Sequence, residues 1–458
     1  MDPRFHTRLQ EMLAQAVVPP DLVEGFLSRL ETFVLPFAAS LVSDEQRRHA
    51  LEYVTGLLSK LEHKTGEGIA YLHDQERQGL QKFIGLSPWD HAPLLRTLAE
   101  QVGNELGEPD GVIVFDPSGF VKKGTKSVGV KRQWCGRVGK TENCQVAIYM
   151  GYVSAIEHAL VDTRLYLPEE WTKDRSRCDA AGVPREIRFH TRHELALEML
   201  DEQGPKLPHT WVAGDDEMGR PAQFRLKLRG RNERYLLAVP SNTWIRDLEA
   251  PPPERRGRGG PLPWNPFMRM DRWREALPES AWTTIEVRDG EKGPLIVEVV
   301  KCRVRARTST NGTGPEELLF ITREKQSDGT FKHDYYLSNA DSETSLKELA
   351  RVTRAAHRIE ECFKRAKGEA GLGDYQVRTW TAWYRHQTLA LLAAWFLNQE
   401  TRRGKNPDRG TDFTAASATD RGCDRRASRD QSSRHAKPPQ HALFATQRIG
   451  SFLPSLLS

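Results

Sequence analysis

No run of about eighteen apolar residues occurs in the 458-residue chain, so no transmembrane helix and no membrane partner are expected. The opening stretch MDPRFHTRLQEML carries charge throughout and lacks the apolar centre of a secretory signal. Cysteine is sparse: six are scattered at Cys135, Cys144, Cys178, Cys302, Cys362 and Cys423, with no C-x-x-C pair. That excludes a disulfide framework and a zinc ribbon, and leaves reduced thiols of a cytoplasmic protein. No internal repeat is present. A phosphate-binding glycine loop is missing too: WCGRVGKTEN ends in Gly139-Lys140-Thr141, but Trp134 stands where the motif needs glycine. The pair His190 and His193 has no cysteine or acid at metal-ligand spacing and reads as a helix face. Excess charge of one sign is small, with 67 Lys plus Arg against 62 Asp plus Glu. The basic residues nevertheless cluster, at Lys122 to Arg137, Arg351 to Lys367 and Arg402 to Lys437, which makes an anionic partner plausible.

What is there divides into five segments. Residues 1–105 read as helical: DEQRRHALEYVTGLLSKLE puts Leu51, Val54, Leu57, Leu58 and Leu61 at helical spacing, and Ser87 with Pro88 offers a helix start. Residues 106–240 change to α/β. GVIVF is a short buried strand that stops on Asp116, followed by a Pro117-Ser118-Gly119 turn. TKSVGVKRQWCG and CQVAIYMGYVS are further strands, and EHALVDTRLYLP extends the hairpin system or adds another. PREIRFHTRHELALEMLDEQG reads as a helix closed by Gly204, HTWVAGDDEMG as a strand ending in acid, PAQFRLKLRGRNE as a helix and RYLLAVP as a last strand. Three strands, a helix, a strand, a helix and a strand is the order of ribonuclease-H-like cores. Residues 241–340 interrupt it with a β-rich insertion. Residues 341–400 return as a long helix, about 342–368, and a buried apolar helix. Residues 401–458 are expected to be a disordered basic tail.

Chemistry enters through acids. Asp116 ends one strand, and Asp215 or Asp216 ends another. Along the long helix Leu349, Val352, Ala356, Ile359, Phe363 and Ala366 form an apolar stripe. Glu360 lies roughly 75° from the stripe's centre, where a core-facing helix can present a carboxylate to a shared pocket, while Glu361 points to solvent. Lys364 and Lys367 share its side of the helix. An ordinary solvent-exposed Glu–Lys pair would explain the helix alone. Two Asp and one Glu meeting at one point, however, repel unless cations neutralise them. Two Mg2+ ions, with Mn2+ as a substitute, suit such hard oxygen ligands, and a pair of them can drive in-line attack at phosphorus. Neighbouring cations would then hold a phosphate backbone.

The stretches FDPSGFVKKGTKSVGVKRQWCGRVGKTENCQVAIYMGYVS, WVAGDDEMGR, RYLLAVPSNT and RIEECFKRAKGEAGLGDYQVRTWTAWYRHQTLALLA, in this order, resemble the DDE transposases of bacterial insertion sequences. The similar branch carries a β-rich insertion between its second Asp and its Glu. The resemblance covers roughly residues 45–398 and implies an α/β ribonuclease-H-like core with an N-terminal helical, DNA-binding domain. It implies catalytic and metal-holding roles for Asp116, Asp215 and Glu360; Asp215, followed four residues on by Gly219, fits the family pattern better than Asp216. Lys122, Lys123, Lys131, Arg132, Arg358, Lys364 and Lys367 become the expected DNA contacts. The implied activity is binding of inverted-repeat ends, their metal-dependent hydrolysis, and joining of the freed 3′-hydroxyl to target DNA, by a homodimer on the bacterial nucleoid. The sequence departs from the family in having Thr353 and Ala356 where Tyr and Arg are common, with Arg354 and Arg358 nearby, and Pro117 where an Asp is common. The rival reading is a transposase-derived DNA-binding protein that no longer cuts. A haloacid-dehalogenase-type phosphatase fails on Ser118, where its second Asp would stand. Trp264 and Trp273 are candidate base-stacking residues.

Overall fold

The computed structural model describes residues 25–251, 265–290, 293–310 and 312–405. Trp264 and the tail beyond residue 405 lie outside them. Among the described residues five helices come first: α1 (Phe26–Ala38), α2 (Asp44–Leu57), α3 (Gly66–Leu72), α4 (Arg77–Gly85) and α5 (Ala92–Leu106). The last starts later than Ser87 suggests. Its Pro93 sits in the first helical turn, and the Asp90 carboxylate accepts from the Ala92 N–H at 3.1 Å.

The sheet begins with β1 (Val112–Val121), β2 (Lys131–Cys135), β3 (Lys140–Val153) and β4 (His158–Leu165). Two small helices, α6 (Glu169–Lys173) and α7 (Arg175–Ala180), lead to α8 (Arg192–Gln203). Thr191 and Glu194 close a capping box on α8, so the helix starts at Arg192 and residues 184–190 precede it. Then come β5 (Trp211–Gly214), α9 (Asp216–Gly219), α10 (Ala222–Gly230) and β6 (Tyr235–Ala238). β3 lies antiparallel between β1 and β4, and β5 and β6 run parallel to β1. The spatial order β4-β3-β1-β5-β6 is the ribonuclease-H-like core the element order called for.

The structure contradicts the turn expected at 117–119. β1 does not end in a turn at Asp116; it continues through Pro117, Ser118 and Gly119 to Val121, paired with β3 along its whole length. β5 is only four residues long, so beyond the Phe115↔Gly214 pair β1 has no partner on that side. Pro117, which has no N–H to give, is tolerated on such an open edge.

Beyond β6 the insertion supplies β7 (Trp244–Asp247), β8 (Met268–Arg269), α11 (Met270–Glu275), β9 (Thr283–Gly290), β10 (Gly293–Arg307), β11 (Thr313–Lys325) and β12 (Phe331–Ser338). These strands continue the same sheet, and one of its faces covers a second core that includes Ile245, Val304, Leu319 and Leu337. Trp273 belongs to that core: it is 8% exposed, with its indole N–H on Asp247 at 2.8 Å, so it packs and does not present a stacking surface. β12 lies antiparallel to β6, Leu337 opposite Leu237, which returns the chain beside the point where it left.

Two long helices close the described residues, α12 (Leu346–Gly368) and α13 (Trp380–Lys405). The expected tail therefore starts no earlier than residue 406, because α13 runs through 401–405. Tyr149 of β3 meets both helices on one face of the sheet: its ring stands edge-on to Phe363 at 5.0 Å, and its hydroxyl donates to Gln387 at 2.7 Å. α8 covers the other face, where Gln203 donates to the buried Asp162. The N-terminal helices wrap α13: Phe26 and Phe33 each lie 5.1 Å from Phe396, Arg29 grips Glu400, and Arg385 donates to the carbonyls of Phe83, Ile84, Ser87 and Trp89. Their apolar residues share one core with the sheet. Among the described residues no helix is long and apolar enough to cross a membrane.

Gly219 permits the closest backbone approach in this frame: a Cβ there would lie 1.9 Å from the Ala238 carbonyl oxygen. Gly219→Ala should therefore cost about 3 kcal/mol in urea unfolding, whereas Gly230→Ala, with nothing within 4 Å, should be neutral or slightly stabilising. Equal midpoints for the two variants would contradict this packing.

Candidate active site

Phe115↔Gly214 is the last pair of the parallel β1–β5 ladder, so Asp116 and Asp215 are the next residue on each of two neighbouring strands. Gly214 lets the chain turn sharply there; a Cβ would lie 2.9 Å from Met218 Cβ and 3.1 Å from the Phe115 carbonyl oxygen. Asp215 then caps α9, its Oδ1 accepting from the Met218 N–H at 3.0 Å. Asp216 is the first residue of α9; it is exposed and paired with Arg220 at 2.9 Å. Of the two candidates it is Asp215 that lies beside Asp116.

The third element is α12. Residues opposite each other in an antiparallel ladder share a face, so Val114, Asp116 and Ser118 face the same way as Gly151, Tyr149 and Ala147. α12 climbs along this row. A Cβ on Gly151 would meet Ile359 Cδ1 at 2.3 Å, Phe363 packs on Tyr149, and Lys367 Nζ donates to Ser118 Oγ at 2.8 Å. Glu360 thus emerges from the helix near the level of Asp116. Its side chain is exposed and lies 3.3 Å from His357 Nδ1.

Electrostatics tie the group together. Asp116 is partly buried and its carboxylate accepts no hydrogen bond from the described residues. Burial first, then the negative charges of Asp215 and Glu360, push its pKa up to about 8, with Lys367 acting in the opposite direction. Burial also raises Asp215 to about 6, against the Met218 N–H and with help from Glu217 and Asp216. Lys367 is held below the usual lysine range by burial and by Arg137, with Asp116 opposing. Its ammonium lies 5.0 Å from the Phe363 ring and 5.6 Å from Phe120.

Among the described residues no three His, Cys, Asp or Glu side chains are gathered so as to hold one metal ion. The donor chemistry nevertheless fits a hard divalent cation: three carboxylates, two of them with pKa values raised by burial first and then by neighbouring negative charge. Glu360 is the member that stands apart, engaged with His357.

The expected DNA contacts separate into two groups. Lys123, Arg132 and Lys364 are exposed. Lys131 is paired with Glu170 at 2.7 Å. Lys122 is no open cation: its ammonium donates to the Tyr375 carbonyl at 3.0 Å and lies 3.3 Å from that ring's centroid, and burial pulls its pKa down to about 8. Arg358 likewise donates to the Ser154 carbonyl at 2.6 Å and lies 3.7 Å from Glu157. Both tie loops to the core. The histidines of HTRH are also accounted for: His193 bonds to the Glu217 carbonyl at 3.0 Å, and His190 pairs with Glu198.

Sequence reasoning missed Glu217 and Ser118. Glu217, paired with Arg192, is a fourth acid whose charge raises both Asp116 and Asp215. Ser118 anchors Lys367. Each sits two residues after a site Asp, but the signal at Ser118 was hidden by treating 117–119 as a turn.

Residues 36–294, more than half of the chain, match the model of the DDE superfamily endonucleases. The chain belongs to that family, whose members depend on divalent metal. It is also 28% identical over 235 residues to a probable transposase for insertion sequence element IS701 from Microchaete diplosiphon. That match takes in 50% of this chain and 57% of the relative, so the chain spans little more than half of the relative's length. Among solved structures, a cryo-EM structure of the piggyBac transposase synaptic complex with hairpin DNA covers 85% of this chain and 77% of its own, at 10% identity and a TM-score of 0.39. The resemblance to DDE-type insertion-sequence transposases is thereby borne out at the family level.

Because Asp116 is raised in the folded state above its ordinary value of 3.8, the native protein holds an extra proton between about pH 4 and pH 8, and stability falls as pH rises through that window. In EDTA, Asp116→Asn should match wild type near pH 4 and exceed it near pH 8 by about 2 kcal/mol, allowing for partial screening by solvent. Urea midpoints across this range check it. A constant difference at all pH values would contradict the raised carboxyl.

Proposed function

We propose that this chain is a transposase that binds the inverted-repeat ends of the element encoding it, hydrolyses the end phosphodiester, and joins the freed 3′-hydroxyl to target DNA. The observation that carries the reading is the juxtaposition of Asp116 and Asp215 at the open end of the β1–β5 pair, with the charge of Glu360 acting on Asp116. Family membership supports a nuclease of this general kind.

Asp116, Asp215 and Glu360 would hold Mg2+, or Mn2+ in its place, two ions in all. When bound, such ions supply activation of the attacking oxygen and stabilisation of the leaving one. The remaining chemistry belongs to the chain. Lys367, fixed by Ser118, holds a non-bridging phosphate oxygen beside Asp116. Lys364, one turn before it on the exposed side of α12, steers the approaching strand, and Lys123 and Arg132 contact phosphates further along. Lys131 joins them on exchanging Glu170 for phosphate. Lys122 and Arg358, already occupied by carbonyls, hold the scaffold. Glu360 must leave His357 to complete the acidic group, and the approach of cation and DNA favours that exchange. Two ends have to be processed together, so the working form is a homodimer on paired ends, in the bacterial cytoplasm on nucleoid DNA.

Strand cleavage of the element's end DNA in Mg2+ tests the assignment. Asp116→Asn, Asp215→Asn and Glu360→Gln should each lose about a thousandfold or more of the cutting rate while retaining DNA binding. Asp216→Asn should cut nearly as wild type. Loss in Asp216→Asn with normal cutting by Asp215→Asn would move the second acid. Binding without cutting by the wild type would instead identify a DNA-binding descendant.

A further inference from the structure

The insertion carries a surface that the carboxylate site does not use. On β10, Arg303, Arg305 and Arg307 face outward, alternating with buried Cys302, Val304 and Ala306. Arg305 stands directly opposite Arg246 of β7, so the two share a face. Trp244, two residues before Arg246 and 43% exposed, lies on the same face opposite Arg269 of β8. The Arg307 guanidinium lies 5.1 Å from the Trp244 ring and 4.9 Å from that of Phe267, and Arg246 lies 4.5 Å from Phe267.

Like charges placed opposite each other destabilise a sheet. Nearby acids do not offset them all: Glu249 and Glu316 both serve Arg303, each at 3.3 Å, and Asp271 serves Arg269. Among the described residues no carboxylate forms an ion pair with Arg305 or Arg307. The reverse of the sheet is apolar core, so these strands cannot turn their arginines inward. The Trp244 and Phe267 rings lie beside the Arg307 guanidinium, whose planar fork suits phosphate, and Arg305 is exposed next to it on the same strand. Alternation spaces them ~7 Å apart along β10, on the scale of successive phosphates in one nucleic-acid strand.

We propose that this arginine–aromatic face of β10, β7 and β8 is a second DNA-contact surface, gripping the phosphate backbone of the DNA on which the carboxylate site acts. The proposal rests on the nuclease reading for its choice of polyanion, but its test does not require cutting.

The full-length chain is titrated in EDTA with a labelled duplex of mixed sequence, over a series of salt concentrations. The double variant Arg305→Gln, Arg307→Gln should bind about tenfold or more weakly, and the slope of log K against log salt should shrink by about 2. The corresponding double lysine variant should keep most of the slope, which separates lost charge from lost folding. An unchanged affinity and slope in the glutamine variant would overturn the proposal. So would loss of self-association in sedimentation at unchanged slope, which would assign the face to a second copy of the chain. Slope loss in a protein that never cuts in Mg2+ would keep this surface and remove the nuclease reading.

Discussion

Two carboxylates standing side by side where a parallel strand pair ends is an unfavourable arrangement for a protein to build. Asp116 lacks hydrogen-bond donors among the described residues, and Asp215 spends one oxygen on capping α9. Burial, with neighbouring negative charge, raises the pKa of both. Nothing in the packing demands acids here; a neutral residue at Asp116 would satisfy β1 equally well. The rest of the structure can be understood as holding this repulsive group in place and setting cations around it.

The insertion and the helical wrap serve that end in different ways. Pairing of β12 with β6 brings the chain back beside its point of departure, so the strands of the insertion can vary without moving the start of α12. α12 is then fixed along β1 by three successive contacts, at Gly151, Tyr149 and Ser118. α13, clamped by the N-terminal helices through Phe396, Glu400 and Arg385, backs it on the same face of the sheet. Lys122 and Arg358 finish the brace by bonding to carbonyls of adjoining loops. The site is thus packed on two sides and open on the third, where Glu360 faces solvent.

Much of this could be read from the sequence. The order of strands and helices after residue 106, the β-rich insertion and the helix carrying Glu360 all follow from hydrophobic period and length. Helical spacing put Lys367 on Glu360's side of the helix, and it is found bonded to Ser118. Failures came where tertiary context outweighs local signal. Pro117-Ser118-Gly119 looks like a turn, but one edge of β1 is open there and the other is bound to β3, so the strand continues. Lys122 looks like a surface cation because a ring stacked beneath it, contributed 253 residues later, cannot be foreseen. Trp273 looks available for stacking until the second core closes around it. The Arg246–Arg305 pair depends on cross-strand register, which no single segment encodes.

On the proposed function, Asp116, Asp215 and Glu360 close on shared cations when DNA arrives. Anomalous scattering from crystals grown with Mn2+ and end DNA tests it most directly. Manganese should contact oxygens of all three side chains, with Glu360 no longer paired with His357. Manganese bound elsewhere, with Glu360 still on His357, would contradict it.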